Sequence, residues 1–189
     1  MLLENWIGSS TKTQIYEGGN MKKGLCLIGA ALIVLGVVFA QEKEILDLKD
    51  KIIELQNNGE LGFTDFTPCS KIMGFASYVP LSEPVIDRNG TLLIYYEPIN
   101  VYTSKRDGLY EIWYSQDMTL LKENGEVVSH WDDILTFHYT TKKPVMDLFA
   151  QNSIDLEGQL PAGKYKFKAT LKDKLSEKTA EHTIDFEIR

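Results

Sequence analysis

The chain has 189 residues, 43% hydrophobic and 25% charged, which is the composition of a globular domain with appendages rather than of a disordered segment. Its formal charge is −7 with no compensating block of Lys and Arg. Clustered basic residues are what a phosphate backbone requires, so no nucleic-acid partner is expected.

In chain order, segment 1–20 is polar and lacks clear periodicity. It reads as a leader ahead of Met21 as the true initiator, because Glu17-Gly18-Gly19-Asn20 can be encoded by a purine-rich ribosome-binding sequence. A short cytoplasmic segment is the alternative. Segment 21–40 then has the three parts of a secretory signal: Lys22 and Lys23, an apolar run from Gly24 to Phe39, and the small-residue pattern Val38-Phe39-Ala40 before Gln41. The run lies at the lower edge of what spans a bilayer, so cleavage and retention as a membrane anchor both stay open. Cys26 sits at the wrong end of this run for lipidation. Cleavage would leave Cys69 alone, expected as a small buried apolar residue.

Segment 41–58 contains many helix formers and no Pro, and Gly59 supplies a natural cap. Ile45, Leu48, Ile52 and Leu55 fall on the a and d positions of a heptad, the Ile-then-Leu choice that favours parallel two-stranded coils. The seam is shorter than two heptads, and so short a helix is marginal alone. Two readings follow: a helix packed on its own domain or acting as a spacer, and a seam pairing two copies into a homodimer.

From Gly62 onward the apolar pattern shifts to alternation. Strands are expected at Lys71–Val79, Thr91–Glu97, Leu109–Ser115, Met118–Lys122, Glu126–Ser129, Leu135–Tyr139, Ser153–Leu156, Lys164–Lys172 and His182–Ile188. Turn signals at Asp87-Arg88-Asn89-Gly90, Lys105-Arg106-Asp107-Gly108, Glu123-Asn124-Gly125 and Pro161-Ala162-Gly163 separate several of them. In Lys164–Lys172 the residues Tyr165, Phe167, Ala169 and Leu171 share one face and lysines the other; Ile184, Phe186 and Ile188 alternate with Asp185 and Glu187. If these strands pair, lysines meet carboxylates on the wet face. The expected fold for 62–189 is an all-β antiparallel sandwich.

The run Leu160-Pro161-Ala162-Gly163-Lys164-Tyr165-Lys166-Phe167, then Leu171-Lys172-Asp173 and Ile184-Asp185-Phe186-Glu187-Ile188, resembles the last two strands of exported bacterial immunoglobulin-like and fibronectin-type-III-like domains. Leu92–Glu97 and Leu120–Val128 are similar to earlier strands of such proteins. The resemblance implies an immunoglobulin-like β-sandwich and supplies no catalytic residue.

The motifs HExxH, CxxC, GxSxG, the P-loop and DxDxDG calcium loops do not occur, so no cofactor, metal or catalytic residue is expected. His130-Trp131-Asp132-Asp133 is the one local group uniting a ligand type with carboxylates. It reads as a solvated loop after a hairpin; an enzyme would need His130, Asp132 and Asp133 drawn into a cleft. Tyr95, Tyr96, Tyr110, Trp113 and Tyr114 form the densest aromatic stretch. Both faces of their strands are buried, or one is an exposed platform for a partner. The expectation is a non-enzymatic exported or envelope-associated module, periplasmic or extracellular, that binds an envelope protein or glycan or acts as a spacer. A membrane-anchored accessory subunit is the alternative.

Overall fold

The computed structural model describes residues 41–189, so the expected leader and the signal or anchor segment lie outside the described residues. Residues Ile45–Arg189 form one compact unit. A helix, α1, occupies 41–58. Among the described residues no helix is long and apolar enough to cross a membrane.

Strands follow as β1 (Gly62–Gly74), β2 (Ser77–Pro80), β3 (Val85–Ile86), β4 (Thr91–Ile99), β5 (Thr103–Arg106), β6 (Leu109–Lys122), β7 (Val127–Thr141), β8 (Ala150–Asp155), β9 (Gly163–Asp173) and β10 (Thr179–Ile188). One sheet has the order β2-β1-β4-β8; the larger runs β3-β10-β9-β6-β5, with β7 also paired to β6. Leu109–Lys122 bonds β5 and β9 in succession along one side and β7 along the other, so β7 is a long edge strand. All pairings are antiparallel except β3 with β10. Asp107 (φ 51°) and Gly108 (φ 75°) form the tight β5–β6 turn, where two left-handed residues match the strand twist.

The core lies between the two sheets. Leu92 and Ile94 of β4 meet Met118, Leu120, Phe167, Phe186 and Ile188, while Tyr96 meets Ile112, Tyr114 and Leu171. Phe63 and Phe66 pack against both groups. Each large apolar side chain removed from water contributes roughly 1.5–3 kcal/mol. A polar chain crosses this interior: the Tyr96 hydroxyl donates to the Gln116 side-chain oxygen, and Gln116 Nε2 donates to Asn152 Oδ1 at 2.9 Å. It fastens β6 of one sheet to β4 and β8 of the other.

The all-β expectation holds, and β9 and β10 fall as expected, with Tyr165, Phe167, Ala169 and Leu171 all buried. Lys166 reaches Asp185 at 2.6 Å and Lys168 reaches Glu181 at 3.0 Å on the wet face. Cys69 is buried and free, as expected. Two expected pairs of strands are instead single strands. Leu109–Ser115 and Met118–Lys122 fuse into β6, and Glu126–Ser129 and Leu135–Tyr139 join through His130–Ile134 into β7. The polar residues that signalled a break are held inside the ladder by an irregularity in pairing.

The helix docks by an unexpected face. Ile53 is buried, the Asp50 carboxylate accepts from Lys105 Nζ at 2.6 Å and from the Tyr110 hydroxyl at 2.7 Å, and Asn57 exchanges bonds with Thr103. Lys178 Nζ donates to the carbonyls of Asn57 and Gly59, satisfying acceptors at the helix C-terminus. Ile45, Leu48, Ile52 and Leu55 stay exposed, Leu55 at 74%.

Candidate functional site

The aromatic stretch does not form a platform. Tyr95, Tyr96, Tyr110 and Tyr114 are all buried. Tyr96 and Tyr114 belong to the inter-sheet core, and Tyr110 lies beneath α1. Tyr95 points to the opposite face of β4, stacked on Tyr78 with ring centroids 4.1 Å apart and flanked by Phe149. Burial, followed by its bond to Glu97, pushes the Tyr95 phenol up to about 12. Only Trp113 of the five keeps an exposed face, stacked on His138, whose Nε2 lies 2.9 Å from Glu111. Both faces of β4 are covered at Tyr95 and Tyr96, whereas on β6 Tyr110, Ile112 and Tyr114 are buried and Leu109 and Trp113 on the other face stay exposed.

The richest polar cluster lies on the outer face of the larger sheet. Gln116 pairs with Leu135 and Met118 with Trp131, so Asp117 alone faces Asp132, Asp133 and Ile134. This bulge turns Asp133 into the left-handed region, φ 46°. Its backbone N–H donates to Asp117 Oδ1 at 2.8 Å. Its carboxylate accepts from Ser115 Oγ at 2.5 Å and from Lys172 Nζ at 2.8 Å, with Lys174 at 3.5 Å. The Lys172 bond, followed by that of Ser115, holds the Asp133 carboxyl well below the usual carboxylate range. Lys172 also reaches Asp117 at 2.5 Å, and these two carboxylates raise its own pKa.

His130 completes the group from one step along β7, opposite Thr119. Its Nδ1 lies 2.8 Å from Thr119 Oγ1, and its Nε2 lies 3.2 Å from Asp132 Oδ1. One ligand atom each from Asp117, His130 and Asp132 lies within 4.8 Å of the other two. Donors bound to one ion at about 2.0–2.2 Å sit roughly 3–4 Å apart, so separations of up to 4.8 Å must close by up to about 1–2 Å for the three to share an ion. The expectation of a solvated loop at His130–Asp133 is thus corrected: the segment is strand, and its bulge gathers the side chains. His130, Asp132 and Asp133 come together, though on an open face rather than in a cleft. Sequence reasoning missed Asp117, Lys172 and Ser115, which come from neighbouring strands. Their sole signal was alternation, which put them on the wet face of β6 and β9.

No family model matches the chain, and no curated protein does. Among solved structures it is similar to Pseudomonas fluorescens alkylpurine DNA glycosylase AlkC bound to DNA containing an abasic site analog, with a TM-score of 0.41 and 9% identity, over 71% of this chain. The match covers 34% of that protein's length. Beside that finding the expectations of a non-enzymatic module and of a chain without nucleic-acid partners are not carried forward, and it bears on neither export nor membrane retention. The likeness transfers neither an activity nor a DNA-binding surface to this chain.

Proposed function

We propose that the domain binds a divalent transition-metal ion on the outer face of its larger sheet, through Asp117, His130 and Asp132. The observation that carries the reading is the convergence of one imidazole and two carboxylates from paired strands within 4.8 Å. A mixed nitrogen and oxygen donor set suits zinc and its neighbours better than calcium, which takes oxygen donors. One feature of the surroundings supports it. Thr119 at His130 Nδ1 can accept that ring proton and so aim Nε2 outward, the orienting role that partners of metal-bound histidines play. Lys172 pairs with Asp117 Oδ1 at 2.5 Å and with Asp133 at 2.8 Å, so an ion would bind Asp117 through its other oxygen and in competition with that ammonium.

Three protein donors leave at least one coordination position for water or an exchangeable ligand. His130 and Asp132 are solvent-exposed at 44% and 78%, so that position opens outward. The reading is a metal-dependent binding surface on a β-domain. We read the two-sheet arrangement as immunoglobulin-like on the strength of the β9–β10 ending and its antiparallel partners. Isothermal titration with Zn2+ tests the metal site: one ion per chain is expected, with binding lost in His130→Ala and in Asp132→Ala. Unchanged binding in both variants would overturn the assignment.

A further inference from the structure

We infer that α1 pairs in parallel with α1 of a second copy of this chain, through the seam Ile45, Leu48, Ile52 and Leu55. With Ile45 and Ile52 at a and Leu48 and Leu55 at d, the side of the helix opposite the seam contains Asp50 and Asn57 at f and Ile53 at b. Those are the residues that clamp the helix to its own domain, through Lys105, Tyr110 and Thr103. Domain docking therefore uses the face that a coiled coil leaves free. The seam itself is left with Ile45 48%, Leu48 52%, Ile52 45% and Leu55 74% exposed. A contiguous apolar stripe of this kind is unusual on a monomer surface.

Two arguments identify the occupant as a second copy in parallel. The first is residue choice, because Ile at a with Leu at d selects two parallel strands. The second is charge. Glu44 at g lies five positions before Lys49 at e, so a parallel dimer sets Glu44 of each copy against Lys49 of the other; the next such pair, Lys51 and Gln56, is free of repulsion. The seam is short, and an isolated helix of this length pays a costly nucleation. Here the domain has already ordered the helix through Asp50, Ile53 and Asn57, so pairing does not bear that cost again.

The full chain in a mild non-ionic detergent, studied by sedimentation equilibrium, tests the pairing. A dimer is expected, with Leu48→Glu/Leu55→Glu giving monomers that keep the wild-type near-ultraviolet circular dichroism. Lys49→Glu should weaken the dimer roughly threefold to tenfold, and Glu44→Lys with Lys49→Glu should restore it. In a Cys26→Ser background, Leu48→Cys should form a disulfide with its own counterpart on mild oxidation, as only parallel pairing allows. A monomeric wild type would overturn the inference. So would a dimer indifferent to both seam variants, or one that fails to cross-link at Leu48→Cys.

Discussion

The Asp50 carboxylate of α1 and the Tyr110 hydroxyl of β6 meet at 2.7 Å across 60 positions of sequence. The bond ties α1 to β6 of the larger sheet, where Tyr110 is buried. Tyr110→Phe removes this bond and leaves the packing, so it should cost about 1 kcal/mol. The loss should fall on the helix. Hydrogen exchange of amides in 45–58 should accelerate while β9 and β10 amides keep their protection.

The same contact gives a pH dependence of known sign. Hydrogen bonds from Lys105 and then Tyr110 lower the Asp50 pKa in the folded chain. Stability from this group is therefore fully present above the unfolded carboxylate value of about 3.9, and is lost as pH falls through the lower folded value. Acid titration followed by exchange of the helix amides should show α1 loosening below about pH 4. Asp50→Asn should flatten that portion of the profile.

Two buried tyrosines should respond to the same substitution in opposite ways. The Tyr114 hydroxyl is buried and finds no hydrogen-bond partner among the described residues, and burial pushes its phenol up to about 12. Tyr114→Phe removes an unsatisfied polar group and should be neutral or stabilising by up to about 1 kcal/mol. Tyr96→Phe removes the donor to buried Gln116 and should destabilise by about 1–3 kcal/mol. Thermal unfolding of the two variants beside the parent reads the contrast directly.

Asp173 should prove structural. Buried at the end of β9, its carboxylate accepts from the backbone N–H groups of Leu175 and Ser176 in the β9–β10 turn and from that of Tyr102 at 2.6 Å. Asp173→Ala leaves three donors without this acceptor and should cost about 1–3 kcal/mol, seen as a lowered urea midpoint.

Strands β9 and β10 were legible because their apolar residues alternate, and Lys164 and Lys166 stand opposite Glu187 and Asp185 on the wet face. Strands β6 and β7 read as broken because Gln116, Asp117 and Asp132 look like turn residues. Gln116 is instead buried in the bond to Tyr96, and the aspartates occupy a bulge. The short β3 and β5 carry too few residues to show a period. Aromatic density between Tyr95 and Tyr114 could not reveal burial, since alternation assigns residues to faces and not what covers each face. The covers, Tyr78, Phe149 and α1, come from distant segments. His130 and Asp132 stood out as a pair for the site, but Asp117 joins them only through strand register.

Cobalt tests the central claim most directly, because its visible spectrum reports the geometry and donors of the ion. Addition of Co2+ to the full chain should give intensified visible bands of a four- or five-coordinate ion at one equivalent. They should be absent in His130→Ala, shifted or weakened in Thr119→Val, and discharged by Zn2+. A spectrum that remains that of the hydrated ion, or bands that survive His130→Ala unchanged, would contradict a metal site at Asp117, His130 and Asp132.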